Sequence, residues 1–200
     1  CKLAAAALRY ESTLSGGQQL GLPRSHYAKL YSLGVRNEGF ASPFNSRFVA
    51  LGAGDAGFCS AFPDTDTAFG SIGPFQSTDM ASSQTSWSLN PPYIETLIGL
   101  TNDRATVALD SSASNLSRDP LLIFVRVPVW DDSKHIRALV ENKYTVAVEN
   151  LRAKSYKLEE PNGRKFVAPF DVYYIDMRSI KPNHTGLSKI VSTLKSVANV

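Results

Sequence analysis

The 200-residue sequence has the length of one ordinary globular domain, and 43% of its residues are hydrophobic and 20% charged. This composition excludes disordered and fibrous proteins, and no apolar run approaches the roughly 20 residues of a transmembrane helix. The net charge of +3 is uneven: residues 58–120 carry two basic and seven acidic side chains, and residues 151–200 carry nine and four. An acidic middle segment is suited to binding a cationic or hydroxyl-rich ligand, and a basic C-terminal segment is suited to binding a polyanion. An ordinary solvated surface would give the same counts of charged residues.

Cysteine and histidine usage gives further expectations. Cys1 and Cys59 provide no disulfide framework, which favours a reducing compartment. His26, His135 and His184 are scattered without ligand-like spacing, so we expect no metal site. The chain begins at Cys1, and we expect it to be part of a longer protein.

The first half of the sequence predicts two helices and then short strands joined by loops. Ala- and Leu-rich residues before a Ser-Gly-Gly break favour the first helix, and Pro23 and Gly34 bracket the second. In chain order we predict a helix at 3–14, a helix at 23–33, a strand at 37–42, a Gly-rich loop at 51–57, a strand at 58–62, mostly loop at 63–84, a strand at 87–89 and a helix at 94–100.

The second half alternates more regularly. Residues 121–127 are nearly all apolar, as expected of a strand covered on both faces. In chain order we predict strands at 121–127, 144–148, 153–158 and 172–177, with a helix at 133–142, a turn at 161–163 and an amphipathic helix at 187–197. Strands alternating with helices before a terminal hairpin predict an α/β fold with a mostly parallel sheet and an antiparallel edge.

The tetrapeptide Asn90-Pro91-Pro92-Tyr93 lies between a predicted strand and a predicted helix, where open α/β sheets bind ligands. An exocyclic aromatic amine is a poor nucleophile because its lone pair is delocalised into the ring. The Asn90 side-chain oxygen and the Pro91 carbonyl can each accept one of its N–H bonds, which stabilises positive charge as the nitrogen attacks an activated methyl donor. The prolines keep both acceptors rigid, and Tyr93 can stack on an extruded base. A Pro-rich turn with Tyr93 in the core is the structural alternative.

Two segments are candidates for the site of the methyl donor, since the Gly-x-Gly fingerprint is absent. Residues 39–45 could form a strand-to-loop turn against the donor. Residues 62–66 could present the carboxylates of Asp64 and Asp66 to ribose hydroxyls or to an ammonium group. Turn capping explains the same two aspartates equally well.

Three segments, GFASPFNSRF, FCSAFPDTDTAFGSIGPF and LNPPY, resemble the catalytic core of the phosphorylated-CTD-interacting factor family. The resemblance extends more weakly back to LRYESTLSG and forward through LLIFVRVPVW to the terminal hairpin. This family is one of WW-domain-bearing, cap-specific adenosine methyltransferases. The chain departs from it in three respects: Tyr93 replaces a Phe, VALGAGDAG lengthens a loop, and neither a WW domain nor most of the upstream cap-binding region is present.

The resemblance implies a Rossmann-like fold and S-adenosyl-L-methionine as the cofactor. It implies methyl transfer to N6 of an RNA adenosine, in this family the cap-adjacent adenosine of mRNA. Residues 1–34 would be an N-terminal helical segment and residues 35–200 the methyltransferase catalytic domain. Catalysis would fall to Asn90, Pro91, Pro92 and Tyr93, and the donor site to Ala41, Ser42, Pro43, Asn45, Asp64, Asp66, Phe69 and Gly70. Expected partners are capped mRNA and, through flanking regions, the phosphorylated RNA polymerase tail; the expected location is nuclear or nucleocytoplasmic, with no membrane contact.

A basic cluster near the predicted hairpin suits RNA phosphates, with Tyr156 and Phe166 interleaved for stacking. Its members are Arg152, Lys154, Lys157, Arg164 and Lys165. A lysine-decorated edge hairpin that discourages aggregation is the alternative.

Two other functions remain open at this point. The same tetrapeptide occurs in enzymes that methylate DNA adenine, ribosomal RNA guanine or protein glutamine, although the Gly-rich donor loop of the glutamine class is absent here. A catalytically inactive RNA-binding or scaffold subunit with a decayed donor site is the second alternative, and the intact tetrapeptide argues against it.

Overall fold

The computed structural model describes residues 2–13, 19–52, 54–83, 85–115, 117 and 119–179. Its helices are α1 (Lys2–Thr13), α2 (Arg24–Ser32), α3 (Arg47–Ala50), α4 (Pro63–Asp66), α5 (Glu95–Ala113) and α6 (Lys134–Val140), with a 3₁₀ turn at Thr67–Phe69. Its strands are β1 (Val35–Glu38), β2 (Gly57–Cys59), β3 (Ser71–Gly73), β4 (Ser86–Leu89), β5 (Leu122–Pro128), β6 (Thr145–Leu151), β7 (Lys157–Glu159), β8 (Lys165–Val167) and β9 (Val172–Arg178).

Seven of these strands form one sheet in the order β3-β2-β1-β4-β5-β9-β6, and β7 and β8 form a separate hairpin. Strands β1 to β5 pair in parallel, whereas β9 runs antiparallel to both of its neighbours, β5 and β6. The order of the parallel strands is that of a Rossmann-like sheet, with the chain reversing direction of growth between β1 and β4. The predicted mostly parallel α/β fold is confirmed, and the antiparallel strand lies inside the sheet.

Strand β5 shows why the sheet is covered on both faces. Neighbouring residues of a strand point to opposite sides, so Phe124 packs in one core cluster with Leu30 and Phe48, beside α2 and α3. Ile123 and Val125 pack in the other cluster with Ile98 and further residues of α5. Because both faces are buried, an almost continuously apolar sequence is the stable one for this strand.

Several elements differ from the sequence prediction. Helix α5 continues to Ala113, thirteen residues beyond the predicted end at 100, because Thr101, Ala105 and Leu109 are buried against the sheet despite their polar neighbours. The predicted strand at 37–42 ends at Glu38, and only Lys157 and Leu158 of the predicted strand at 153–158 lie in a strand, β7, which continues to Glu159.

The region predicted as mostly loop at 63–84 contains α4, the 3₁₀ turn and β3. The turn predicted at 161–163 is present between β7 and β8. The helix predicted at 187–197 lies outside the described residues. Within the part of the chain that the structure describes, no helix is long and apolar enough to cross a membrane.

Candidate functional site

A cavity of about 570 Å³ opens at the carboxyl ends of the parallel strands, around the point where the strand order reverses. This is where Rossmann-like sheets bind their ligands, and the volume lies within the ~300–1,000 Å³ of small-molecule sites. The lining comes from the segments after four strands and from β5, α1 and the β7–β9 region. Its main members are Tyr10, Gly39, Phe40, Ala41, Ser42, Asn45, Cys59, Ser60, Phe75, Asn90, Pro91, Pro92, Tyr93, Arg126, Leu158 and Phe170.

All four residues of the predicted catalytic tetrapeptide line this cavity. They follow β4 directly, and one residue, Ile94, separates them from α5. The Asn90 side chain is held by Arg126, whose Nε donates a hydrogen bond to Asn90 Oδ1 at 2.9 Å. Arg126 can reach it because β5 pairs in parallel with β4, placing Val125 beside Leu89. The side-chain oxygen of Asn90 therefore has a defined orientation.

Tyr93 lies in an aromatic group at the edge of the cavity. Its ring makes edge-on contacts with Trp130, at 6.3 Å between centroids, and with Phe170, at 5.7 Å. Trp130 is 38% exposed and Phe170 36%, so two partly exposed aromatic side chains lie beside Tyr93. Burial raises the pKa of the Tyr93 hydroxyl and the Arg126 guanidinium opposes that rise, so the hydroxyl stays protonated at neutral pH.

The loop after β1 forms the opposite wall through Ala41, Ser42 and Asn45. Asn45 Oδ1 accepts hydrogen bonds from the Ser42 backbone N–H at 2.7 Å and the Ser42 hydroxyl at 3.1 Å, which closes the turn. Pro43 lies within this turn and outside the lining. Gly39 starts the loop, and a Cβ there would lie 2.4 Å from Leu89 Cδ2, so a larger residue would have to displace the buried Leu89 side chain.

Glu38 fastens the far end of this loop. Its Oε2 accepts hydrogen bonds from the Ser46 hydroxyl at 2.9 Å, the Arg47 N–H at 2.7 Å and the Phe48 N–H at 3.3 Å. Burial raises the pKa of Glu38 to about 7, although these three hydrogen bonds favour the ionised form. The last residue of β1 therefore ties the loop to the start of α3.

The remaining predicted donor-site residues lie outside the cavity lining. Asp64 is exposed and forms an ion pair with Arg9 at 2.6 Å, which holds the pKa of Asp64 below its usual range. Asp66 is fully buried and accepts a hydrogen bond from the Tyr10 hydroxyl at 2.6 Å, and Tyr10 itself lines the cavity. Phe69 and Gly70 end the 3₁₀ turn, with Gly70 at a φ of +99°. Their assignment to the donor site stays a prediction.

The predicted RNA-binding residues lie on and around the β7–β8 hairpin. Lys157 and Lys165 are on its two strands, while the other three occupy the flanking turns. Arg152 pairs with Asp171 at 3.1 Å, and Lys165 lies 3.8 Å from Glu159. Leu158 of the hairpin and Phe170 after it reach the cavity, so the basic cluster borders the site. Its contact with RNA stays a prediction.

Sequence reasoning missed several lining residues. Arg126 is the one charged residue of β5, and a lone cation in an apolar strand is a signal that could have identified it. Cys59 and Ser60 lie at the carboxyl end of β2, where a site in a parallel sheet is expected, so their position in the sequence could have identified them. Burial raises the pKa of the Cys59 thiol to about 11. Tyr10 and Phe170 carry no comparable local signal. Among the described residues, no three His, Cys, Asp or Glu side chains lie close enough to hold a metal ion.

A family model described as the phosphorylated CTD interacting factor 1 WW domain matches residues 1–160. Proteins of Mus musculus and Homo sapiens, both named mRNA (2'-O-methyladenosine-N(6)-)-methyltransferase, are each 38% identical over 122 residues. Each match covers 60% of this chain and 15% of the relative. A solved structure of an antibiotic-related methyltransferase aligns with a TM-score of 0.38 and 12% identity, over 79% of this chain and 95% of that one. Since the family model spans most of its length, the chain belongs to the phosphorylated CTD interacting factor 1 family.

Proposed function

We propose that this chain carries the active site of an S-adenosyl-L-methionine-dependent methyltransferase acting on N6 of an RNA adenosine, the cap-adjacent one of mRNA. The observation that carries the proposal is that Asn90, Pro91, Pro92 and Tyr93 line one cavity together with the loop after β1. The names of the two relatives, which describe N6 methylation of 2'-O-methyladenosine in mRNA, support the choice of acceptor. The chain spans about 15% of the length of these relatives. That it has the activity of a whole protein of this kind is therefore part of the proposal.

The cavity fits a nucleoside-sized donor. Its walls are mostly apolar, with Phe40 and Phe75 4.4 Å apart between ring centroids, and polar atoms are supplied by Ser42, Asn45 and Ser60. Bound S-adenosyl-L-methionine would supply an activated methyl group on sulfur. Flat aromatic faces and a few fixed hydroxyl and amide groups are the chemistry that holds such a ligand in orientation.

The tetrapeptide supplies acceptors for the amine. A carbonyl oxygen has two lone pairs, so the hydrogen bond from Arg126 leaves Asn90 Oδ1 one further acceptor site. The Pro91 carbonyl accepts the second N–H of the amine. Both contacts would strengthen as positive charge develops on nitrogen, while the N–C bond forms and the bond between the methyl group and the donor sulfur breaks. The electron pair of that bond stays on the sulfur, which leaves as a neutral thioether, and the nitrogen loses one proton to water. No base is needed before the attack because the amine reacts in its neutral form.

The rim of the cavity has side chains suited to binding a single-stranded polyanion. Trp130 and Phe170 offer exposed rings beside Tyr93, and base–aromatic stacking tolerates any sequence. The basic cluster around the hairpin would contact phosphates of the same strand. For the whole protein, the name of the matching family model supports a phosphorylated polymerase tail as a partner.

The test is methyl transfer from labelled S-adenosyl-L-methionine to RNAs with and without a cap, followed by nucleoside analysis for N6-methyladenosine. Asn90→Ala removes one acceptor, and we expect kcat/KM to fall about 100- to 1,000-fold. Asn102→Ala is the matched control, because Asn102 lies on α5 outside the lining of the cavity. Its side-chain oxygen accepts a hydrogen bond from the Asn142 amide instead. Transfer unchanged in Asn90→Ala, or methylation at another position, would contradict the proposal.

A further inference from the structure

Arg126 is a buried cation at the candidate active site. The residue is 6% exposed, and its Nη1 atom is buried without a hydrogen-bond partner. Within the described part of the chain, no carboxylate forms an ion pair with it. Instead it faces phenols, and its positive charge opposes the rise that burial causes in the pKa of Tyr27, Tyr93, Tyr156 and Tyr174. A buried charge with no anion is strongly destabilising. Its presence at this site therefore indicates a functional role for Arg126.

We propose that Arg126 is a specificity-determining residue that donates a hydrogen bond to the ring nitrogen beside the methylated amine. This inference rests on the proposed function and deepens it. Asn90 Oδ1 is an acceptor, and the guanidinium that binds it at 2.9 Å is a planar donor group directly beside it. An acceptor next to a donor is complementary to a base edge that presents an amine N–H next to an unprotonated ring nitrogen.

Adenine has this edge on both sides of its amine, with N1 on one side and N7 on the other. The Watson–Crick edge of guanine places an N–H next to its amine. That N–H is a donor and would face the guanidinium, which is also a donor, so no hydrogen bond could form. Uracil has no exocyclic amine. The pair formed by Asn90 and Arg126 would therefore favour adenine over uracil and over guanine presented through its Watson–Crick edge, because a site built to bond a polar atom rejects analogues that leave its own group unpaired. Cytosine, with N3 beside its amine, presents the same pattern as adenine and is distinguished only by the size of its ring.

The short distance between the two side chains favours a ring nitrogen over an anion as the partner of Arg126. The guanidinium is hydrogen-bonded to the same oxygen that would accept the amine, and Arg126 lines the cavity, so a further donor of the same group can reach an atom that flanks that amine. A phosphate of the nucleotide, or a carboxylate of the donor, is separated from the amine by several bonds. An anion role is nevertheless an outcome that the experiment separates.

The experiment replaces single ring nitrogens in the substrate. Methyl transfer is measured on RNAs whose target is adenosine, 1-deazaadenosine or 7-deazaadenosine, with the wild-type chain and with Arg126→Met. For the wild type we expect kcat/KM to fall about 10- to 100-fold for one of the two analogues, the loss of one hydrogen bond from a charged donor. In Arg126→Met that penalty should disappear, because the donor is already gone. The comparison cancels the intrinsic effect of each analogue on the amine.

Arg104→Met is the matched control. Arg104 also has a buried Nε without a partner, yet it lies on α5 outside the cavity lining. This variant should keep the analogue preference of the wild type. Arg126→Gln is a second variant if Arg126→Met does not fold, since its shorter neutral side chain keeps a polar group while losing the reach of the guanidinium.

The possible failures are distinguishable. If the wild type transfers no methyl group to unmodified adenosine, the proposed function itself is wrong. If transfer occurs but neither analogue is penalised, or the penalty is the same in Arg126→Met, the inference about Arg126 is overturned while the proposed function stands. An equal loss on all three substrates in Arg126→Met also overturns it and assigns Arg126 to structure or to an anion.

Discussion

Tyr93 is positioned to stack on a base with its ring, while its hydroxyl lies beside the Arg126 guanidinium. Its edge-on contacts with Trp130 and Phe170 hold the ring in place, and no hydrogen bond of its hydroxyl is required for stacking. We expect Tyr93→Phe to keep kcat/KM within a few-fold of the wild type. Tyr93→Ala should lose about 1–3 kcal/mol of base stacking, about 5- to 160-fold in kcat/KM for methyl transfer.

Tyr144→Ala is the control for this pair of variants, because Tyr144 is half-buried beside α6 and outside the cavity. It should lower stability and leave kcat/KM unchanged. A Tyr93→Phe variant that loses as much activity as Tyr93→Ala would show that the hydroxyl, not the ring, carries the function.

Glu38 links the pH of the solution to the loop of the candidate donor site. Its pKa rises from 4.5 to about 7 on folding, so the folded chain holds this proton more firmly than the unfolded chain. The contribution of Glu38 to the free energy of unfolding is therefore complete below about pH 4.5 and is lost as the pH rises through about 7. The loss is on the order of 3 kcal/mol.

Glu38→Gln should remove this pH dependence while keeping an oxygen for the three donors that bind Glu38. Urea unfolding at pH 5 and pH 8 measures it: the decline in stability between the two values should be smaller in the variant than in the wild type. Equal declines in both proteins would mean that Glu38 does not titrate in this range.

At the scale of elements, the β7–β8 hairpin combines two roles. Leu158 turns towards the cavity, whereas Lys157 and Lys165 are exposed on its other side. If the exposed side follows the RNA backbone, each phosphate contact adds about 0.7 to the slope of log affinity against log salt for a single strand. We therefore expect Lys157→Gln and Arg164→Gln each to reduce that slope by this amount, for RNAs of any sequence.

Filter binding or fluorescence anisotropy over a salt series checks this expectation. Lys134→Gln is the control, since Lys134 is exposed at the start of α6, away from the hairpin. An unchanged slope in both hairpin variants would favour the alternative that these side chains only protect an edge.

At the scale of the whole molecule, a buried ion pair joins the N-terminal half of the chain to the hairpin. Arg47 of α3 and Glu159 of β7 are each about 3% exposed in their side chains, with Nη1 and Oε1 3.5 Å apart. Arg47 Nη2 also lies 3.3 Å from the backbone carbonyls of Glu159 and Glu160. The pair therefore holds the hairpin against the wall that carries the loop after β1.

Glu159→Gln leaves Arg47 buried and without its anion, so we expect a loss of about 3–5 kcal/mol in the free energy of unfolding, measured with urea. Replacing both partners, with Arg47→Met and Glu159→Leu, should cost less than the single change. Asp64→Asn breaks the exposed pair with Arg9 and should have a smaller effect. A Glu159→Gln variant as stable as the wild type would contradict this role of the pair.

The sequence alone determined those features that depend on neighbouring residues. The apolar run of β5, the bracketing of α2 by Pro23 and Gly34, and the turn at Asn90–Tyr93 are local, because periodicity and backbone preference act over a few residues. Strand ends also predicted where a site would lie, since the carboxyl ends of parallel strands meet at one edge.

Only the tertiary structure decided which distant residues meet. The position of β9 between β5 and β6, the full length of α5 and the ring of Tyr10 in the cavity follow from burying whole faces of the sheet, which no short window of sequence describes. The bond between Arg126 and Asn90 joins residues 36 positions apart. Strand order, set by the packing of the complete core, brings these two side chains together and so determines the chemistry of the site.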